Sequence, residues 1–140
     1  MARILIVEDN QSFVDALVFT LQMEGHQVWS AVSADEGIQS GLAHHPDVVV
    51  ADWMLGSEVH GGEVCRRIQL ACPRVKSIIM TGYVDLVSKG AWPAAGEAVI
   101  EKPFHKEDIV GAINRALSGP PAPDAFGGND TVHFQSPQVY

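Results

Sequence analysis

The stretch that decides the fold is Ile4-Leu5-Ile6-Val7-Glu8-Asp9-Asn10, near the start of the 140-residue chain. Its first four residues form an unbroken, largely β-branched run, which is typical of a strand covered on both faces. Two carboxylates follow directly, at the end where an open parallel sheet forms its ligand crevice. The stretch therefore predicts a buried strand that delivers acidic side chains to one edge of a sheet.

The same unit recurs along the chain, because short apolar runs alternate with amphipathic stretches. Apolar side chains at helical spacing from Phe13 to Leu21 follow the first strand, and Ser33-Ala34-Asp35-Glu36 is a capping box that opens a second helix. Five such units in a row predict an α/β fold, a doubly wound five-stranded parallel sheet with five flanking helices. The other predicted elements are strands at Gln27 to Ala31, Val48 to Ala51, Lys76 to Met80 and Ala98 to Glu101, and helices to about Ala43, over Gly62 to Ala71 and from about His105.

The chain changes character after residue 118. Residues 119–140 hold four of the eight prolines and neither Lys nor Arg, and they show little apolar periodicity. We therefore expect one domain over residues 1–118 and a flexible Pro/Gly-rich tail over residues 119–140. About twenty residues are too few to form a second domain.

Composition excludes several classes of function. Lys and Arg number 9 against 17 Asp and Glu, a formal net charge of −8, and the basic residues do not cluster beyond Arg66-Arg67. This balance argues against direct binding of nucleic acid. No apolar run approaches the roughly 20 residues that span a bilayer, and the start of the chain lacks a signal-peptide pattern, so we expect a cytoplasmic protein. Cys65 and Cys72 lie too far apart on one predicted helix for a disulfide and are expected to be reduced core thiols.

Polar side chains follow four of the five predicted strands. Glu8 and Asp9 follow the first strand, Asp52 the third, Thr81 the fourth and Lys102 the fifth. Because parallel strands present their carboxyl ends at one edge, these side chains should converge. Three carboxylates forced together repel one another, and oxygen ligands of this kind suit Mg²⁺, which also takes phosphate oxygens. The sequence predicts a magnesium site with phosphoryl chemistry.

At this point the sequence resembles a known family, the receiver domain of two-component response regulators. The resemblance covers residues 2 to about 118 and rests on the opening stretch, on Asp52, on Thr81-Gly82 and on Lys102-Pro103-Phe104. It implies a flavodoxin-like sheet and a cis Lys102-Pro103 bond. It also implies that Asp52 is the phosphoacceptor, and that Thr81 and Lys102 contact the phosphoryl oxygens.

The resemblance further implies how the metal is bound. Asp9 and Asp52 would ligate Mg²⁺ together with the backbone carbonyl of Met54, and Glu8 would contribute its charge, often through a metal-bound water. The donor of the phosphoryl group would be a phosphohistidine on a sensor histidine kinase or a phosphotransfer protein. The receiver would catalyse its own phosphorylation and dephosphorylation, so it is not expected to be an enzyme acting on a separate substrate.

Two positions depart from the family pattern. Gly56 stands where members usually carry a proline, which predicts a looser loop after Asp52. Val99 stands where an aromatic residue usually couples to the phosphorylated site. The segment Tyr83 to Gly96 contains residues that oppose a regular helix, and it becomes the candidate for the change that carries the signal. Its Trp92 is either a core residue or a partner contact.

The sequence therefore indicates a single-domain response regulator of a two-component phosphorelay, with an unidentified downstream protein target. Three other classes of protein share part of this pattern. An aspartate-nucleophile phosphatase needs a second Asp where Met54 stands, and a flavin or dinucleotide module needs a glycine-rich loop where Glu8-Asp9-Asn10 stands. The receiver module of a hybrid sensor kinase, acting as a phosphotransfer relay, would have the same chemistry. Met1 and the chain's own tail argue against this last alternative.

Overall fold

The computed structural model describes residues 1–56, 59–82 and 97–118, in which strands and helices alternate. Where the sequence analysis stated element boundaries, they agree with the structure to about one residue. The strands are β1 (Arg3–Val7), β2 (Gln27–Ala31), β3 (Val48–Asp52), β4 (Lys76–Thr81) and β5 (Glu97–Glu101). The helices in the described ranges are α1 (Gln11–Met23), α2 (Ala34–His44), α3 (Gly61–Ala71) and α4 (Lys106–Ser118).

The strands form one parallel sheet in the order β2-β1-β3-β4-β5. All five residues of β3 are buried, as expected of a strand with neighbours on both edges and helices over both faces. The predicted five-stranded parallel α/β fold is thus confirmed. Four of the five predicted helices are present. The fifth would fall in residues 83–96, which lie outside the described residues together with Trp92 and the predicted tail.

The core consists of two apolar layers, because side chains alternate between the faces of each strand. One layer joins the sheet to α1 and α4, and the other joins it to α2 and α3. Members of the first layer are Ile4, Ile6, Leu17, Leu21, Val48, Val50, Phe104, Ile109 and Ile113. Members of the second are Leu5, Val7, Ala34, Val49, Ala51, Val64, Cys65, Ile68 and Ile79.

Polar side chains fix where the helices begin. The Ser33 Oγ accepts a hydrogen bond from the backbone N–H of Glu36, which confirms the predicted cap of α2. The Glu36 carboxylate accepts from the N–H of Val32, one residue earlier than in the usual reciprocal box. His60 caps α3 through its Nδ1, which accepts from the N–H of Glu63. The helices after β2 and β3 therefore start at defined points.

The two cysteines are free thiols with different environments. Cys65 is buried in α3, as predicted. Cys72, the residue after the end of α3, is half-buried and packs against the second apolar layer, so it lies at the edge of the core rather than inside it. Among the described helices, none is both long and apolar enough to cross a bilayer.

Candidate functional site

The ends of four adjacent strands bring the predicted site residues to one edge of the sheet. β1, β3, β4 and β5 are consecutive in the sheet, and their registers align Asp52 with Met80 and Thr81 with Glu101. The backbone N–H of Lys102 donates to the carbonyl of Thr81 over 2.8 Å, which continues the ladder past the end of β5. Side chains far apart in sequence therefore face one crevice.

Glu8, Asp9 and Asp52 form a carboxylate cluster in this crevice. One oxygen from each lies within 4.8 Å of the others, and no other group of three or more His, Cys, Asp and Glu side chains in the described ranges is as suitable for a metal ion. Glu8 is 2% exposed and Asp52 8%, whereas Asp9 is open to solvent. Two of the three charges are therefore held away from water.

Lys102 supplies the positive charge that faces this cluster. Its Nζ lies 2.9 Å from Glu8 Oε1 and 3.3 Å from Asp52 Oδ1. The Lys102-Pro103 bond that precedes Phe104 is cis, as the resemblance implied. One ammonium cannot balance three carboxylates, so the site keeps a net negative charge that a divalent cation would neutralise.

The electrostatics of the crevice act most strongly on Asp52. Burial raises the pKa of the Asp52 carboxyl from its ordinary value of 3.8 to about 6, and the charges of Glu8 and Asp9 add to this rise. The Lys102 ammonium, by its charge and its hydrogen bond, holds the pKa of Asp52 lower than burial alone would set it. Asp52 is therefore mostly ionised at neutral pH and can act as a nucleophile.

The loop from β3 to α3 passes close to the cluster. The N–H of Trp53 donates to the carbonyl of Met80, and the carbonyl of Trp53 accepts from the N–H of Gly61. The rings of Trp53 and His60 stack with centroids 4.0 Å apart. Met54 follows Trp53 in the same loop, two residues after Asp52, with an exposed side chain.

Gly56 adopts a left-handed backbone conformation in this loop, with φ at 73°. A proline, with φ fixed near −65°, cannot take that conformation, so the loop follows a backbone path that the family's usual proline would not allow. A Cβ at Gly56 would lie 3.2 Å from Asp9 Oδ2, so the loop backbone approaches the carboxylate cluster closely. The predicted looseness of the loop concerns mainly Ser57 and Glu58, which lie outside the described residues.

The first turn of α3 lies against the backbone of Asp52, and Gly61 permits that approach. A Cβ at Gly61 would stand 2.2 Å from the Asp52 carbonyl oxygen. We expect Gly61→Ala to lower the free energy of unfolding by about 1–3 kcal/mol, because the backbone must shift to admit the methyl group. Chemical denaturation measures this change.

The matched control is Gly82→Ala, because a Cβ there meets no heavy atom of the described residues within 4 Å. Its effect on stability should stay within about 0.5 kcal/mol. Equal losses in the two variants would show that α3 can move away from Asp52 without cost.

Thr81 on β4 and Val99 on β5 are the positions that the family uses to couple the phosphorylated site to the rest of the domain. Thr81, the last residue of β4, is 1% exposed, so its side chain is almost completely shielded from solvent. Val99 is buried in the apolar layer beside Ile79, its register partner on β4. An aliphatic side chain thus fills the place where the family commonly has a ring.

Phe13 is a site residue that could not be identified from its apolar pattern alone. The apolar stripe of α1 predicts it only as a core residue, whereas the Lys102 ammonium lies 4.5 Å from the centroid of its ring. Asn10, the residue after the acidic pair, connects Glu8 to Phe13. Its N–H donates to Glu8 Oε2, and its side chain accepts from the N–H of Phe13. One sequence feature could have indicated this contact: an aromatic residue in the first turn of the helix that follows the acidic pair.

A five-stranded parallel sheet that gathers three carboxylates and a lysine at one edge defines a flavodoxin-like α/β domain with an acidic site. The chain matches the family model of the response regulator receiver domain over residues 4–114 and belongs to that family. The response regulator ArlR of Staphylococcus aureus strain Mu50 is 33% identical over 132 residues. The match covers 92% of this chain and 58% of ArlR, so the chain spans little more than half the length of this curated relative.

Solved structures give the same result for the fold. The response regulator receiver domain protein from Clostridium thermocellum superposes with a TM-score of 0.75 at 28% identity, covering 84% of this chain and 94% of that one. The receiver domain of sensor histidine kinase PA1611 from Pseudomonas aeruginosa PAO1 superposes with a TM-score of 0.74 at 20% identity, covering 84% and 98%. That structure has a magnesium ion coordinated in its active-site cleft.

Proposed function

We propose that this receiver domain accepts a phosphoryl group on Asp52 in a Mg²⁺-dependent reaction. The observation that carries the proposal is the position of Asp52, a nearly buried carboxylate that lies 3.3 Å from the Lys102 ammonium and within the cluster formed with Glu8 and Asp9. An Asp oxygen would attack phosphorus while the bond to the donor's leaving group breaks. Such transfers need in-line positioning and charge neutralisation more than covalent assistance from the protein.

The cation proposed for this site is Mg²⁺. Asp9 and Asp52, with the Met54 backbone carbonyl, would hold it, and Glu8 would contribute its charge. When bound, Mg²⁺ neutralises the developing charge on the phosphoryl oxygens and orients the group. The hard oxygen donors of the cluster fit this ion. The magnesium reported in the PA1611 receiver domain occupies the active-site cleft of a similar fold.

Lys102 and Thr81 have distinct proposed roles beside the acceptor. The Lys102 ammonium contacts Asp52 and Glu8 directly, and in the phosphorylated protein we propose that it pairs with a phosphoryl oxygen. The Thr81 hydroxyl, at the adjacent strand end, is the proposed hydrogen-bond donor to a second oxygen. In this scheme the domain itself catalyses gain and loss of the phosphoryl group, and the chain is not an enzyme for a separate substrate.

The proposed donor is a phosphohistidine on a sensor histidine kinase or phosphotransfer protein, and the proposed output is binding to a downstream protein in the cytoplasm. The net charge of −8 supports a protein partner rather than nucleic acid. That the chain is a single-domain regulator, and not the receiver module of a hybrid sensor kinase, stays a prediction. Comparison of phosphorylation rates across a panel of histidine kinases would identify the donor.

The proposed function is tested by treating the protein with acetyl phosphate and measuring its intact mass. We expect one phosphoryl group per chain in the presence of Mg²⁺ and none in excess chelator. The product should be lost on treatment with hydroxylamine, which cleaves acyl phosphates and leaves serine and threonine esters intact. Labelling that persists in chelator, or that resists hydroxylamine, would contradict the proposal.

A further inference from the structure

Phe13 occupies a place beside Lys102 that its position in the α1 apolar stripe did not reveal. The Lys102 ammonium lies 4.5 Å from the ring centroid, within the range of a cation–π contact. The Phe13 ring also packs edge-on against Phe104, two residues after Lys102, with centroids 5.9 Å apart and planes at 76°. One aromatic side chain therefore touches both the ammonium and the loop that carries it.

The contact is anchored at its other end to the carboxylate cluster. Glu8 accepts from Lys102 with one oxygen and from the N–H of Asn10 with the other, and the Asn10 side chain caps α1 by accepting from the N–H of Phe13. Lys102, Glu8, Asn10 and Phe13 are therefore linked in a ring of contacts, in which Phe13 contacts Lys102 again. The start of α1 is thereby fixed relative to the ammonium.

From this geometry we infer that Phe13 is a positioning residue for phosphoryl acceptance, which holds the Lys102 ammonium toward Asp52. The inference rests on the proposed function. The ring carries no formal charge and is no metal ligand, so its attraction for the ammonium does not depend on what Glu8 and Asp52 bind. The carboxylates, in contrast, are also proposed to serve the cation and the phosphoryl group. Phe13 thus supplies a contact to Lys102 that is separate from the carboxylates proposed to serve the cation and the phosphoryl group.

The first test compares phosphorylation rates with acetyl phosphate and saturating Mg²⁺. We expect Phe13→Leu, which keeps the apolar packing and removes the ring quadrupole, to be about three- to tenfold slower than the parent. Phe13→Tyr keeps the aromatic face and should retain the parent rate. Val18→Ala is the matched control, because Val18 is a half-buried α1 side chain on the same core layer. It should lose stability without slowing the reaction.

A second readout, in metal-free buffer, does not involve phosphorylation. We expect Phe13→Leu to lower the melting temperature of the parent more than it lowers that of a Lys102→Met variant, because the cation–π contact exists only in the parent. Equal losses in the two backgrounds would reduce Phe13 to a packing residue and overturn the inference.

The rate measurements separate this inference from the proposed function. A parent that accepts phosphate, with Phe13→Leu at the same rate, overturns the positioning role alone. Slowing of Phe13→Leu and Val18→Ala to the same extent would show a general effect of α1 packing, and this also contradicts the inference. A parent that is never labelled would overturn the proposed function and, with it, the role of Phe13.

Discussion

Asp52→Asn is expected to abolish incorporation of a phosphoryl group from acetyl phosphate. The amide nitrogen and oxygen of asparagine keep the shape of the side chain but carry no nucleophilic carboxylate. Because a single acceptor is proposed, intact mass should show no phosphorylated species under conditions in which the parent is fully labelled. The expected loss is at least a thousandfold in rate, on the order of 4 kcal/mol of activation free energy.

The control for this experiment is Asp35→Asn, which removes an exposed carboxylate from the first turn of α2. It changes the net charge by the same amount, and it follows β2, the one strand whose end contributes no residue to the site. The parent rate should be retained. Undiminished labelling of Asp52→Asn would instead show that another residue is the acceptor and that the crowding of carboxylates around Asp52 serves another purpose.

Much of the fold could be predicted because its signals are local. The β-branched runs Ile4 to Val7 and Val48 to Ala51 specify strands buried on both faces, and capping residues such as Ser33 mark helix starts within a residue. The crossover rule for parallel units restricts the possible orders of the strands, and no single residue specifies the observed one. The end of α3 at Ala71 could be predicted, whereas the partial burial of Cys72, the next residue, depends on packing outside the helix.

The carboxylates of the site could also be predicted, since strand ends in a parallel sheet meet at one edge. Their charge balance and neighbours could not. The distance from Lys102 to Glu8, shorter than that to Asp52, depends on the loop after β5. The Phe13 contact depends on the rotation of α1, which the apolar stripe leaves open by several tens of degrees. The positive φ of Gly56 is a property of a loop with no regular period.

The raised pKa of Asp52 makes the stability of the metal-free protein depend on pH in a definite direction. Burial raises the pKa of the folded-state carboxyl from 3.8 to about 6, so the folded protein binds the proton more tightly than the unfolded chain does. The protonated Asp52 carboxyl therefore stabilises the folded protein relative to the unfolded chain, and this stabilisation is fully present at pH values below the ordinary pKa of 3.8. It is lost as pH rises through about 6, at up to roughly 1.4 kcal/mol per pH unit.

We therefore expect Asp52→Asn to be more stable than the parent at pH 7 in metal-free buffer, because the amide avoids the cost of a buried charge beside Glu8 and Asp9. The expected gain is about 1–2 kcal/mol, since water at the exposed edge of the site screens part of this cost. The advantage should shrink toward pH 4, where the parent's Asp52 carboxyl is protonated.

Mg²⁺ at 100 times its dissociation constant should stabilise the parent by about 2.7 kcal/mol at pH 7. It should stabilise Asp52→Asn, which lacks the charge of one ligand, by much less. Urea denaturation at pH 4, 5.5 and 7, with and without Mg²⁺, measures all of these differences, and Asp35→Asn serves as the charge-matched control. An Asp52→Asn advantage that is the same at every pH would show that it does not arise from ionisation of the buried Asp52 carboxyl. Equal stabilisation of parent and variant by Mg²⁺ would place the cation away from Asp52.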